Sequence, residues 1–163
     1  MRFLSLIVLL LGLSIAPASA QMARNPKISA PDLAAAQAET SLAGGAAAEL
    51  IYAARLDVIQ KGAFDSLIVI YSKPAKNGKD YHAVILREAQ KLPLALDKQG
   101  RALKPGDKFL RMGLKHEEGK PPILRLIGAT TDPAKGDQQR NLDYRFDGTA
   151  FVLEAQSLMP LAK

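Results

Sequence analysis

The sequence predicts an all-β domain, mainly an antiparallel sandwich or a partly closed barrel, preceded by a short N-terminal helix or arm. Three observations predict it. From Glu49 onward the apolar residues recur with period two rather than 3.6. Turn-forming Gly, Pro, Asn and Asp interrupt the chain at close spacing, leaving room for seven or eight short strands. Little of the chain beyond residue 45 reads as helix, so the strands must cover one another.

Residues 1–20, MRFLSLIVLLLGLSIAPASA, read as a signal peptide. Arg2 supplies the positive start, residues 3–15 are almost wholly apolar, and Pro17 precedes a small-x-small cleavage pattern at Ala18-Ser19-Ala20. The apolar run is shorter than the roughly 20 residues a spanning helix needs. The expectation is therefore a periplasmic or secreted protein with no transmembrane segment after cleavage. Without those 20 residues the chain of 163 retains 143, enough for one domain with its own core. The chain has no cysteine, so disulfides, thiol chemistry, Cys-ligated zinc, iron–sulfur clusters, c-type haem attachment and a lipoprotein anchor are excluded.

Residues 21–45 are Ala-rich and poor in large apolar groups. Ser29-Ala30-Pro31-Asp32 reads as a helix start, and Gly44-Gly45 as its end. The β domain is expected over residues 46–163. In its first strand Leu50, Tyr52, Ala54, Leu56 and Val58 alternate with Ile51, Ala53, Arg55 and Asp57; the Ala content leaves a helix over 46–60 as the competitor. After a turn at residues 60–65, Leu67-Ile68-Val69-Ile70-Tyr71 is apolar on both faces, as a covered central strand requires. Pro74 and Asn77-Gly78 turn the chain into a partner strand at residues 81–88, with His82, Val84 and Leu86 on one face and Tyr81, Ala83 and Ile85 on the other.

Leu92, Leu94 and Leu96 alternate, and Pro93 consigns that strand to an edge. Turns follow at residues 97–100 and 105–107. Leu110, Met112, Leu114 and His116 then form one side of a strand, with Arg111 and Lys115 on the other. Residues 123–129 form another strand, and residues 130–141 read as a long polar loop. Residues 142–146 and 150–153 flank Asp147-Gly148, a compact hairpin signal.

Two stretches carry a family resemblance. Gly62-Ala63-Phe64-Asp65, followed by residues 67–71 and 81–86, resembles the hairpin of FG-GAP-type exported repeats. Residues 144–151, Tyr-Arg-Phe-Asp-Gly-Thr-Ala-Phe, are similar to a terminal hairpin of small exported bacterial proteins. Together they cover about a third of the chain after residue 20. The resemblance implies a calcium site built from closely spaced acids. Only Asp57 and Asp65 flank the turn, with Lys61 between them, which departs from that pattern.

Charge singles out one stretch. Residues 87–125 contain ten Lys or Arg against five Asp or Glu, while the rest of the chain beyond residue 20 is balanced. Such a surplus suits an anionic partner: an envelope polymer, a lipid headgroup or a protein. Arg101, Lys104, Lys108, Arg111 and Lys115 are the candidate binding residues. Phe109 is the one Phe, Tyr or Trp in the stretch, so base or sugar stacking lacks a platform and no nucleic-acid partner is expected.

No catalytic constellation emerges. His82 reads as a strand histidine, and His116-Glu117-Glu118-Gly119 lacks the second histidine of a helical zinc site. Ser66, Ser72 and Ser157 stand outside any nucleophile-elbow pattern, adjacent Glu117 and Glu118 point to opposite faces if extended, and no phosphate-cradling loop appears. No cofactor or metal is expected. The sequence thus points to a non-enzymatic exported binding module, with an inhibitor of an envelope lysozyme or protease, presenting residues 130–141, as the alternative.

Overall fold

A computed structural model describes residues 28–57, 64–76, 78–88 and 90–161. The signal-peptide segment, most of the 60–65 turn and Val58 lie outside the described residues. The described residues form one helix and two four-stranded antiparallel sheets, and both sheets are simple meanders. It is a sandwich rather than a barrel, because no strand pairing among the described residues joins the sheets.

Helix α1 spans Ala30–Gly44. Ser29 caps it from an extended backbone, its Oγ accepting the Asp32 amide at 3.3 Å. Pro31 occupies the first turn, where its missing N–H costs nothing. Gly45, at φ 78°, takes the chain out of the helix and returns its N–H to the Ser41 carbonyl. The helix buries Ala36, Glu39 and Thr40 and packs on the first sheet beside Ala53, Leu67, Val69, Tyr71 and Val84. Arg55 ties its first turn to the sheet through Asp32, at 2.6 and 3.1 Å.

The first sheet comprises β1 (Glu49–Leu56), β2 (Ser66–Ala75), β3 (Gly78–Arg87) and β4 (Gln90–Pro93), in that order. Strand therefore prevails over helix at 49–56. Its alternation is interrupted, however: a register shift between Leu50 and Tyr52 sends Leu50 to the helix side and leaves Tyr52, Ala54 and Leu56 facing the second sheet. In β2 every residue from Ser66 to Ser72 is buried, as expected of a strand covered on both faces. β3 divides as its sequence alternates, with Ala83 and Ile85 toward the second sheet and His82 and Val84 toward the helix layer.

β4 is the short edge strand that Pro93 foretold, but it stops there. Leu94 is wholly buried and donates its N–H to the Ala83 carbonyl, and Ala102 does the same to Tyr81 at 2.7 Å. The connection thus runs back along β3 before crossing to the second sheet. Ala102 and Leu103 plug the core on the way.

The second sheet comprises β5 (Lys108–Lys115), β6 (Ile123–Asp132), β7 (Gly136–Phe146) and β8 (Phe151–Pro160). Leu124, Leu126, Leu142, Tyr144 and Phe151 meet Ala54, Ile68, Ile70 and Ile85 to form the main core. The long loop expected at 130–141 does not exist. β6 and β7 pair down to Asp132 and Gly136, so only residues 133–135 form the tip. The sequence misled there because its residues are polar whether exposed, as at 133–137, or covered, as at Arg140 and Asn141, and such strands carry no apolar alternation. β8 likewise runs seven residues beyond the expected 150–153 segment, paired with β7 throughout.

Candidate binding face

The site begins with a broken alternation in β5. A register shift between Phe109 and Arg111 inserts one extra residue. Phe109, Met112 and Leu114 therefore pack toward the core, and Phe109 meets Tyr52 with ring centroids 6.1 Å apart. Leu110, expected among the apolar stripe, is instead 45% exposed. Past the shift, Arg111, Gly113 and Lys115 lie opposite Ile127, Arg125 and Ile123, and Lys108 lies opposite Ala129. Lys108, Arg111 and Lys115 consequently share the outward face. At about 3.3 Å of rise per residue, the row from 108 to 115 is about 23 Å long.

The approach to that strand is rigidly held. Gly106, at φ 85°, closes a turn in which the Asp107 amide donates to the Lys104 carbonyl at 3.0 Å. The Asp107 side chain is 1% exposed and receives the Arg140 Nε at 2.6 Å. Lys104 stands exposed one turn ahead of Lys108. Two shallow grooves flank Lys108. One, of about 360 Å³, lies beside Pro105, Thr130, Thr131 and Asp137; the other, of about 340 Å³, lies beside Gly78, Lys79 and Tyr81.

Much of the surplus charge of residues 87–125 is neutralised by partners elsewhere in the chain. Arg87 pairs with Asp65, Lys91 with Glu39, and Arg125 with Asp143 through two 2.6 Å bonds. Arg101 corrects the expectation placed on it. Its guanidinium binds Asp97 at 2.7 Å and approaches Asp80 at 3.7 Å, so it staples the 97–101 turn to β3. Lys115 is on the expected face but donates to Glu117 at 3.1 Å. Arg145 and Lys115 together hold the Glu117 carboxyl down to about 2. Lys104, Lys108 and Arg111 make no ion pair among the described residues. Three of the five candidates are thus available to a partner, one is shared with Glu117 and one is internal.

The histidines do not converge. His82 lies under the helix layer, stacked on Tyr71 at 5.3 Å, with Nδ1–H donating to the Gly100 carbonyl at 2.9 Å. Burial pushes its pKa below the ordinary value. His116 is exposed beyond the end of β5, in the other sheet. Asp65 of the calcium-like turn is taken up by Arg87 and by the Ser66 hydroxyl. Among the described residues no three His, Asp or Glu gather as a metal site, and no helix is long and apolar enough to cross a membrane. What the face offers chemically is a row of point cations beside hydroxyl-lined grooves.

Fold and face together define a helix-covered β-sandwich with a basic edge. Comparison with the models of known protein families, with curated proteins and with solved structures finds no match to this chain.

Proposed function

We propose that this protein is an exported, non-enzymatic binding module that takes an anionic envelope partner along β5. The observation that carries the reading is the row of Lys108, Arg111 and Lys115 on the outward face of an edge strand, with Lys104 ahead of it. Its length exceeds the Debye length of about 8 Å at physiological salt, so a small anion meets one cation at a time. A polymer or surface with repeated phosphates or carboxylates meets several. The export pattern of residues 1–20 puts such polymers and headgroups within reach.

The test is binding to vesicles containing phosphatidylglycerol, against neutral vesicles, at low and high salt. Reversing Lys104, Lys108 and Arg111 to Glu together removes three basic contacts of about 1 kcal/mol each, so affinity should fall by at least about 100-fold. Lys135→Glu, at the β6–β7 tip, should change it by less than about twofold. Binding that survives the triple reversal, or that ignores salt, overturns the reading.

A further inference from the structure

The four strand edges of the sandwich are protected unequally. β1 carries a register shift and the charged Glu49 and Arg55. β4 has four residues and ends in Pro93. β5 carries a register shift and its row of cations. These are the devices that keep an edge from pairing with another chain. β8 is different. It is ten residues long, and every residue from Glu154 to Pro160 is exposed. Its one charge, Glu154, is bonded to Arg145 of the neighbouring strand. Beyond the shift at Glu154, residues 155–159 (Ala-Gln-Ser-Leu-Met) pair regularly with β7, and among the described residues no strand pairs with their other edge. Leu158 and Met159 there are 51% and 44% exposed.

We infer that β8 pairs antiparallel with β8 of a second copy of this chain, joining two second sheets into one of eight strands. Charge selects this occupant. In an isologous contact each residue meets its own copy's surroundings, so an edge with unpaired charge repels itself. The chain is net positive, yet the β7–β8 half of the sheet is locally balanced: Arg125 is paired with Asp143, and Arg145 with Glu117 and Glu154. Lys108 and Arg111, which make no ion pair among the described residues, sit on the opposite edge, at β5. A two-fold axis at Ser157 sets Ala155 opposite Met159 and Gln156 opposite Leu158, with no charge on either side. Pro160 then ends the pairing, for want of an N–H. Five paired residues bury less than the roughly 800 Å² per partner of a standard interface, so the dimer is weak and concentration-dependent. The inference does not depend on the anion reading.

Two measurements test it. Sedimentation of the purified chain across about a hundredfold range of concentration should show a shift from monomer to dimer. Met159→Lys should raise the dissociation constant about tenfold by placing an uncompensated lysine on the edge. Independently, the absence of native cysteine permits a clean cross-link. Ser157→Cys puts two thiols opposite one another on the axis, with Cα atoms about 5 Å apart, within disulfide reach. It should oxidise to a covalent dimer much faster than Lys98→Cys, which lies in the 97–100 turn. A sedimentation coefficient that does not change with concentration, or equal cross-linking of the two cysteine variants, overturns the inference.

Discussion

Removing the Asp107 carboxylate tests whether the turn before β5 is held electrostatically. Asp107→Ala leaves the Arg140 guanidinium in its place with its 2.6 Å partner gone. The Asp107 side chain is 1% exposed and that of Arg140 11%, so water reaches the abandoned cation only at its rim. Breaking a buried pair from one side costs about 3–5 kcal/mol, and the residual exposure of Arg140 argues for the lower end, about 3 kcal/mol. Against a domain stability of about 5–15 kcal/mol this is a large fraction. With a urea slope of about 1.5–2 kcal/mol/M, the midpoint should fall by about 1.5–2 M at unchanged slope. Asp107→Ala combined with Arg140→Met should recover part of the loss, because the orphaned charge is then gone. A loss below about 1 kcal/mol, the value of an exposed pair, would refute the reasoning.

His82 predicts a pH effect of definite sign. Its folded pKa lies below 6.5 because burial disfavours the imidazolium, so the unfolded chain binds the proton more readily. The contribution is complete above pH 6.5 and declines as pH falls from there through the folded value; His82→Gln should flatten that part of a stability–pH profile, and an unchanged profile would count against burial as the cause. Two glycines should respond in opposite ways to alanine. A Cβ on Gly44 would sit 2.2 Å from the Ala48 Cβ, costing about 1–3 kcal/mol by overpacking. A Cβ on Gly113 meets nothing within 4 Å, so Gly113→Ala should be neutral or stabilise by up to about 1 kcal/mol in thermal unfolding while sparing the basic row.

Residues with strong local chemistry were legible one by one. Ser29 and Gly45 bound the helix, Pro93 marks an edge strand, and the two-sided apolar run of β2 announces a covered strand. The errors share a cause. Register shifts at Leu50–Tyr52 and Phe109–Arg111 change the parity of a strand, and nothing in the composition flags the extra residue. A strict reading therefore put Leu110 in the core and missed Phe109. The 130–141 segment reads as a loop because its residues are polar whether exposed, as at 133–137, or covered, as at Arg140 and Asn141. Alternation reports burial only where the covered residues are apolar.

The candidate site was half legible for a related reason. A run of lysines and arginines is visible in one dimension, but neutralisation happens in three. Asp80 and Asp97 engage Arg101, Asp143 engages Arg125, and Glu117 engages Lys115. Asp107 is held by Arg140, 33 residues away, and no local pattern could have revealed it.

The amino-acid order alone settles the β class, the helix caps, the absence of thiol chemistry and where positive charge is concentrated, since each depends on a residue's own chemistry or its near neighbours. Which cations remain free, which side chains share a face of β5 and which strand edge is left open were settled only by tertiary packing. Those properties are set by strand parity and by partners tens of residues distant, and a Coulomb or packing interaction depends on distance in space, not along the chain.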